Sequence, residues 1–283
     1  MKKIIVNLFI LVSALLTGFG CDVVKDVKDP NVTIIQGNRK VLVEDYTGHK
    51  CGNCPAAADT LRYLEKKYEG KIIPIAIHAG FFATVNPTYP TDFRNTTSNA
   101  YDAQFGISAA GNPNGLVNRK GYGTGGFVKA YTVWEGEVAQ MLSTTSKFEI
   151  KIRNTFNIAG NSVNTRITTK SFANINGNYK LVVLLTEDSI ISEQLDYRLP
   201  SGSQLISNYN FMHVLRDAVN SSWGDPIFTT GAVVNDSIVK SYNYTVNSSY
   251  NAAKCHIVAY IYDADSSSPT YYEVLQAEEE KVK

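Results

Sequence analysis

Cys51-Gly52-Asn53-Cys54-Pro55 sets two thiols with two residues between them, the spacing at which one can attack a disulfide and the other can resolve the mixed disulfide. The attacking sulfur must be a thiolate, and free backbone N–H groups at a helix start, with the helix dipole, favour that charge. Cys51 is therefore expected as the exposed nucleophile and Cys54 as the buried resolving thiol. Pro55 suits a first helical turn, where an N–H has no helical acceptor anyway. An imidazolium at His49 would favour the thiolate further; exposure without a chemical role is the competing reading. The same cysteines allow two other chemistries, a permanent disulfide staple or part of a zinc site. Zinc is the weakest, because no second ligand pair follows at finger or ribbon spacing.

Exchange chemistry requires a strand ending just before the pair and a helix beginning at it. Residues 38–46 contain the apolar run Val41-Leu42-Val43 and are closed by Thr47-Gly48, which reads as a buried strand and turn. Residues 56–68 are strongly helix-forming, with Ala57, Leu61, Leu64 and Tyr68 on one side. Residues 72–78, Ile-Ile-Pro-Ile-Ala-Ile-His, are the next strand, β-branched as expected where helices cover both faces. Residues 79–97, rich in Asn, Thr, Pro and aromatics, form a long loop beside the site, a specificity lid or a solvated insertion. Gly111-Asn112-Pro113 precedes a short strand, where a cis proline would face the cysteines and expose backbone groups to an extended peptide. A helix over residues 127–142, with Tyr131, Trp134 and Val138 on its apolar stripe, closes this first region.

The order of strand, cysteine pair, helix and late Gly-Asn-Pro resembles the thioredoxins. The whole mature chain, with Cys21 and the Cys51-Gly52-Asn53-Cys54-Pro55 segment, is similar to the Omp28 family of Bacteroidetes outer membrane lipoproteins. The thioredoxin likeness implies Cys51 as attacking thiol, Cys54 as resolving thiol and Pro113 as the cis proline. Glu44 falls near the buried acid that relays protons to the resolving cysteine, one residue further upstream than thioredoxins place it. Lys50 stands where they usually have tryptophan. The Omp28 likeness implies a surface protein with an adhesive or receptor role.

The N-terminus addresses the chain. Lys2 and Lys3 precede an apolar run too short to span a membrane, and Gly18-Phe19-Gly20 lead to Cys21. Residues 1–20 are expected as a signal peptide, Cys21 as the lipidation site and residues 21–34 as a tether. Lys and Arg number 27 against 26 Asp and Glu, and so balanced a chain lacks the concentrated basic face of a nucleic-acid binder. Four cysteines form no disulfide scaffold: one at the lipid position, one local pair, and Cys255 alone, expected as a small buried hydrophobe.

From about residue 155 short alternating runs take over, at 163–169, 179–186, 231–234, 241–246, 254–262 and 271–275. They suggest an all-β sandwich, immunoglobulin-like in kind, without catalytic residues. His213 lacks metal spacing and is expected as a structural or surface residue. The expected organisation is an α/β thioredoxin-like domain over 35–152 followed by the β-sandwich over 153–283. The expected function is thiol-disulfide exchange on exported proteins by a membrane-anchored lipoprotein, with no cofactor. The alternative is a surface adhesin or binding protein whose cysteine pair is only a staple. Expected partners are exported or surface proteins with thiols or disulfides, together with a membrane reductant or a host surface ligand.

Overall fold

The computed structural model describes residues 38–283; the expected signal peptide, the lipidation site Cys21 and the tether lie outside the described residues. β1 (Val41–Thr47) and β2 (Ile72–His78) are parallel neighbours, buried along their whole length. α1 (Cys54–Lys67) joins them, its Ala57, Leu61 and Leu64 packed on Val41, Val43 and Ile72. Because strand side chains alternate, Leu42 and Tyr46 point to the other face and join a separate core. Lys66 and Lys67 occupy the last turn of α1, where positive charge complements the dipole.

α2 (Thr96–Phe105) lies where the sequence reading expects only loop and connection. Its segment, Thr-Thr-Ser-Asn-Ala-Tyr-Asp-Ala-Gln-Phe, has too few apolar residues to show a helical period; a cap and tertiary contacts define it instead. The Asn95 side chain accepts from Ser98 N at 2.9 Å and donates to Leu215 O at 2.7 Å, closing the helix start onto the sheet. Asn95→Ala is expected to lower stability by about 1–2 kcal/mol, read as a shift in urea midpoint; no shift would mean the cap is dispensable.

α3 (Ile107–Ala110) and β3 (Asn114–Val117) follow, then β4 (Lys129–Ala130) and α4 (Trp134–Leu142). α4 is shorter than the expected helix because Lys129 and Ala130 pair with β3 and a 3-10 turn intervenes at Tyr131–Val133. Trp134, Val138 and Leu142 still form the buried stripe.

The remaining strands are β5 (Phe148–Asn157), β6 (Ser162–Ser171), β7 (Tyr179–Glu187), β8 (Ile190–Leu195), β9 (Leu205–Phe211), β10 (Val214–Ala218), β11 (Asp225–Phe228), β12 (Ser237–Thr245), β13 (Cys255–Asp263) and β14 (Val274–Lys281). The expected strand at 231–234 is reduced to two isolated bridges, Thr229 to Gly231 and Ile175 to Ala232, and the one at 271–275 begins only at Val274.

A nine-stranded sheet runs β14-β13-β7-β10-β2-β1-β3-β4, with β11 alongside β7; β12-β6-β5 and β8-β9 form separate sheets. Strands from both halves of the sequence thus share one sheet, joined where Val214 of β10 pairs with Ala76 of β2. β7 shows why. Its Val182 and Leu184 enter the core containing Tyr101 and Phe105 of α2, while Leu181, Val183 and Leu185 meet Phe148, Ile150 and Ile167 of the three-stranded sheet. A strand apolar on both faces needs a layer on each. Residues 38–283 form one compact unit, and the expected 152/153 boundary falls inside β5. The architecture is a mixed α/β region followed by an all-β region of several sheets.

Candidate functional site

Cys51 and Cys54 are joined in a disulfide, with Cα atoms 5.4 Å apart. Only Cys54 belongs to α1; Cys51 sits in the preceding turn, where Cys54 N donates to Cys51 O at 3.2 Å and Asn53 is the helix cap. The two sulfurs therefore do not share one helical turn. Cys54 is buried as expected, but Cys51 is not the exposed nucleophile: it is 2% accessible.

Two segments enclose the cysteine turn. On one side lies the long loop after β2, where Lys50 N donates to Phe82 O at 3.1 Å. A β-carbon on Gly48 would come within 2.4 Å of the Phe82 carbonyl carbon, so only glycine allows this approach. On the other side lies the end of β8. Leu195 N donates to His49 O at 2.9 Å and Tyr197 N to Gly52 O at 2.8 Å. The Gln194 side-chain amide donates to Cys51 O at 3.0 Å. The Tyr197 ring lies so close to Gly52 that a β-carbon there would meet it at 2.5 Å. Arg198 reaches from the same segment to Asp59 of α1 at 2.6 Å.

Pro113 enters β3 at the edge where β1 ends: Asn114 opposes Tyr46, and the Asn112–Pro113 bond is cis. The cysteine turn and the proline loop thus lie at the same end of the sheet.

Behind the disulfide is a cavity of about 30 Å³, lined by Asp45, Cys54, Arg62, Glu65, His78, Gln194 and His213 among others. Asp45 is 2% exposed and its Oδ1 has no hydrogen-bond partner among the described residues. Burial raises its pKa to about 7. His78 is buried too, and desolvation first, then the charge of His49, lowers its pKa to about 3.

Glu44, the acid singled out by sequence likeness, points the other way. Its carboxylate accepts two bonds from the buried Arg119, from Nε at 2.8 Å and Nη2 at 2.6 Å. Arg119 also donates to Tyr260 OH at 2.8 Å and its guanidinium stacks among Tyr101, Phe105 and Tyr260. Asp45, not Glu44, shares the cavity with Cys54. The alternation already in the sequence could have revealed this: Val41 and Val43 face α1, so the next residue on that side is Asp45.

His49 is buried, at 1% exposure, so neither expected role holds. Its Nε2–H donates to Thr84 O at 3.1 Å and its ring stacks on Tyr89 with centroids 5.2 Å apart. Desolvation lowers its pKa, so the neutral ring props the cysteine turn instead of supplying charge. His213 lies between Glu65 and Asp188, at 3.2 and 3.3 Å. Burial works against its proton, but the Glu65 bond and the neighbouring carboxylates prevail and raise its pKa. Cys255 is free and buried in the second core; burial pushes its thiol up to about 12. Among the described residues no group of three or more His, Cys, Asp or Glu side chains could hold a metal ion, and no helix is long and apolar enough to cross a membrane.

Known structures share this fold. HBP35 of Porphyromonas gingivalis superposes with a TM-score of 0.62 at 14% identity, over 88% of this chain and 77% of that one. A protein of Agrobacterium tumefaciens gives 0.52 at 16% identity, over 88% of this chain and 96% of its own. Both likenesses span most of the chain and speak to fold alone. No curated protein matches the sequence. The profile of the family described as outer membrane protein Omp28 matches residues 98–283, which excludes the cysteine pair but takes in Pro113, Arg119 and the hairpin β8–β9. Matched over more than half of its length, the chain belongs to the Omp28 family.

Proposed function

We propose that this protein is a thioredoxin-like thiol-disulfide exchange protein of the cell envelope, acting on exported proteins and held to a membrane by a lipid on Cys21. Membership in a family described by the outer membrane supports the location. The observation that carries the chemistry is Asp45, a wholly buried carboxyl with an oxygen unpartnered, in one cavity with the resolving cysteine. Burying such a group is costly, and a disulfide that merely stapled the chain would need no acid behind it. An acid with a pKa near neutrality is suited to exchanging a proton with Cys54.

In the oxidised state, a substrate thiolate attacks Cys51 Sγ. The Cys51–Cys54 bond breaks, and Cys54 leaves as a thiolate that takes the Asp45 proton. A second substrate thiolate attacks the substrate sulfur of the mixed disulfide and releases Cys51 as a thiolate. Two electrons have passed from the substrate, now a disulfide, to the protein, now a dithiol; the reverse sequence reduces a substrate disulfide, with Cys51 attacking and Cys54 resolving. Pro113, at the same end of the sheet, would flank the incoming peptide. A three-stranded sheet packed across β7 and β13 supports reading the second half as a sandwich of immunoglobulin-like kind, suited to holding a partner.

The burial of Cys51 favours a second reading, a binding or adhesive lipoprotein in which the pair is a permanent staple. A Cys54→Ala variant expressed in cells separates the two. Exchange predicts covalent adducts through Cys51, lost in Cys51→Ser. No adducts, under conditions that trap a known thioredoxin-like protein, would leave only the binding role.

A further inference from the structure

The segment covering the cysteine turn is an excursion of the chain. β8 and β9 leave the nine-stranded sheet after β7 and return at β10, and their strand ladder is with each other alone among the described residues. The end of β8 lies on the cysteine turn, running as a strand to Leu195 and then turning over residues 196–199, where Leu199 N donates to Asp196 O at 3.3 Å. Its donors are the backbone N–H groups of Leu195 and Tyr197, two residues apart, and its acceptors are the carbonyls of His49 and Gly52. The side chain at the second donor, Tyr197, rests on Gly52, where the missing β-carbon leaves room for a ring.

The outer side of this segment packs on little. Tyr197 is 56% exposed, Leu205 47% and Ile191 59%. Backbone bonds, the Gln194 amide on Cys51 O, one ring contact and the exposed Arg198–Asp59 pair hold it at its tip, while Phe211 and Tyr209 anchor its base beside Phe93. The tip itself, residues 195–199, buries no apolar side chain, and a segment of that kind opens locally at low cost.

We infer that residues 194–198 occupy the seat of the substrate: the site takes a polypeptide segment with two backbone donors two residues apart and an aromatic side chain at the second, which displaces the tip of the hairpin and uncovers Cys51. This inference rests on the exchange reading and adds the substrate's form to it. It reconciles a buried attacking cysteine with exchange, because the covering strand holds the positions the peptide needs. Gly52 becomes a specificity-determining position, accommodating the aromatic residue that Tyr197 imitates.

The test uses the oxidised protein and the rate at which dithiothreitol reduces Cys51–Cys54, followed by acid quenching and thiol labelling. A Tyr197→Ala/Arg198→Ala variant with unchanged circular dichroism should be reduced at least about tenfold faster than the parent. A synthetic peptide spanning residues 192–199, added in excess, should slow the variant again, whereas the same peptide with alanine in place of the tyrosine should not. An unchanged rate in the variant overturns the inference, because the hairpin is then not what restricts access. Acceleration without peptide protection, or protection indifferent to the tyrosine, also overturns it, since the hairpin is then a cover and not an occupant of the seat. If the double variant does not fold, Arg198→Ala alone is read by the same criteria. Failure of the exchange reading appears separately, as absence of adducts in the Cys54→Ala experiment whatever the reduction rates are.

Discussion

Glu44→Ala is expected to lower the unfolding free energy by about 3–5 kcal/mol, because it leaves a guanidinium buried without its counter-charge. Arg119 is fully enclosed, and its charges and bonds with Glu44 and Tyr260 outweigh the cost of desolvation and keep it protonated. It cannot escape by losing its proton, and its ring neighbours Tyr101, Phe105 and Tyr260 offer contact without cancelling the charge. Urea unfolding of the oxidised protein measures the loss. Replacing both partners, as Glu44→Leu with Arg119→Met, should cost less than orphaning the arginine, since an apolar pair of similar volume needs no desolvated charge. If the double change is as damaging as the sum of the single ones, the pair is not coupled and the argument fails.

The second large effect belongs to Asp45. Its folded pKa near 7 against an ordinary value of 3.8 corresponds to about 4 kcal/mol. The folded carboxyl keeps a proton that the unfolded chain releases above pH 4. The associated stability is therefore whole below about pH 4 and is lost as the pH rises through about 7. Asp45→Asn should match the parent near pH 4 and exceed it by up to about 4 kcal/mol at pH 8. His78, in the same cavity, works in the opposite sense: its pKa is lowered from 6.5 to about 3, so its contribution is intact above 6.5 and fades as the pH falls. Arg62, Glu65 and His213 also line the cavity and, like His78, are common to both proteins, so the difference between them isolates Asp45. Equal midpoints at pH 8 would contradict the assignment. On the exchange reading, the asparagine, unable to give or take a proton at Cys54, should slow thiol exchange by about a hundredfold while the protein gains stability. A purely structural carboxyl would not produce that opposition of rate and stability.

Much of the first region was legible from local pattern. The Val41-Leu42-Val43 run, the Ala-rich segment after Cys54 and the β-branched residues 72–78 each carry their own periodicity, and each forms the element it suggests. Gly111-Asn112-Pro113 likewise marks a turn into a strand by its residue types, and the cis bond is there. α2 was illegible because an asparagine cap and distant packing, not an apolar stripe, hold it. Choosing between Glu44 and Asp45 needed only strict use of the two-residue alternation.

The sequence by itself determined that two cysteines stand between a buried strand and a helix, with a proline turn ahead of a later strand, because those features depend on neighbours along the chain. Only the tertiary structure decided whether the Cys51 sulfur meets solvent and which acid stands behind Cys54. Both depend on segments remote in sequence. Tyr197 and Gln194 cover a turn more than a hundred residues earlier, and Arg119 claims Glu44 from the far end of β3. Hydrogen bonds and burial between distant segments leave no periodicity behind, so only the folded chain reveals them.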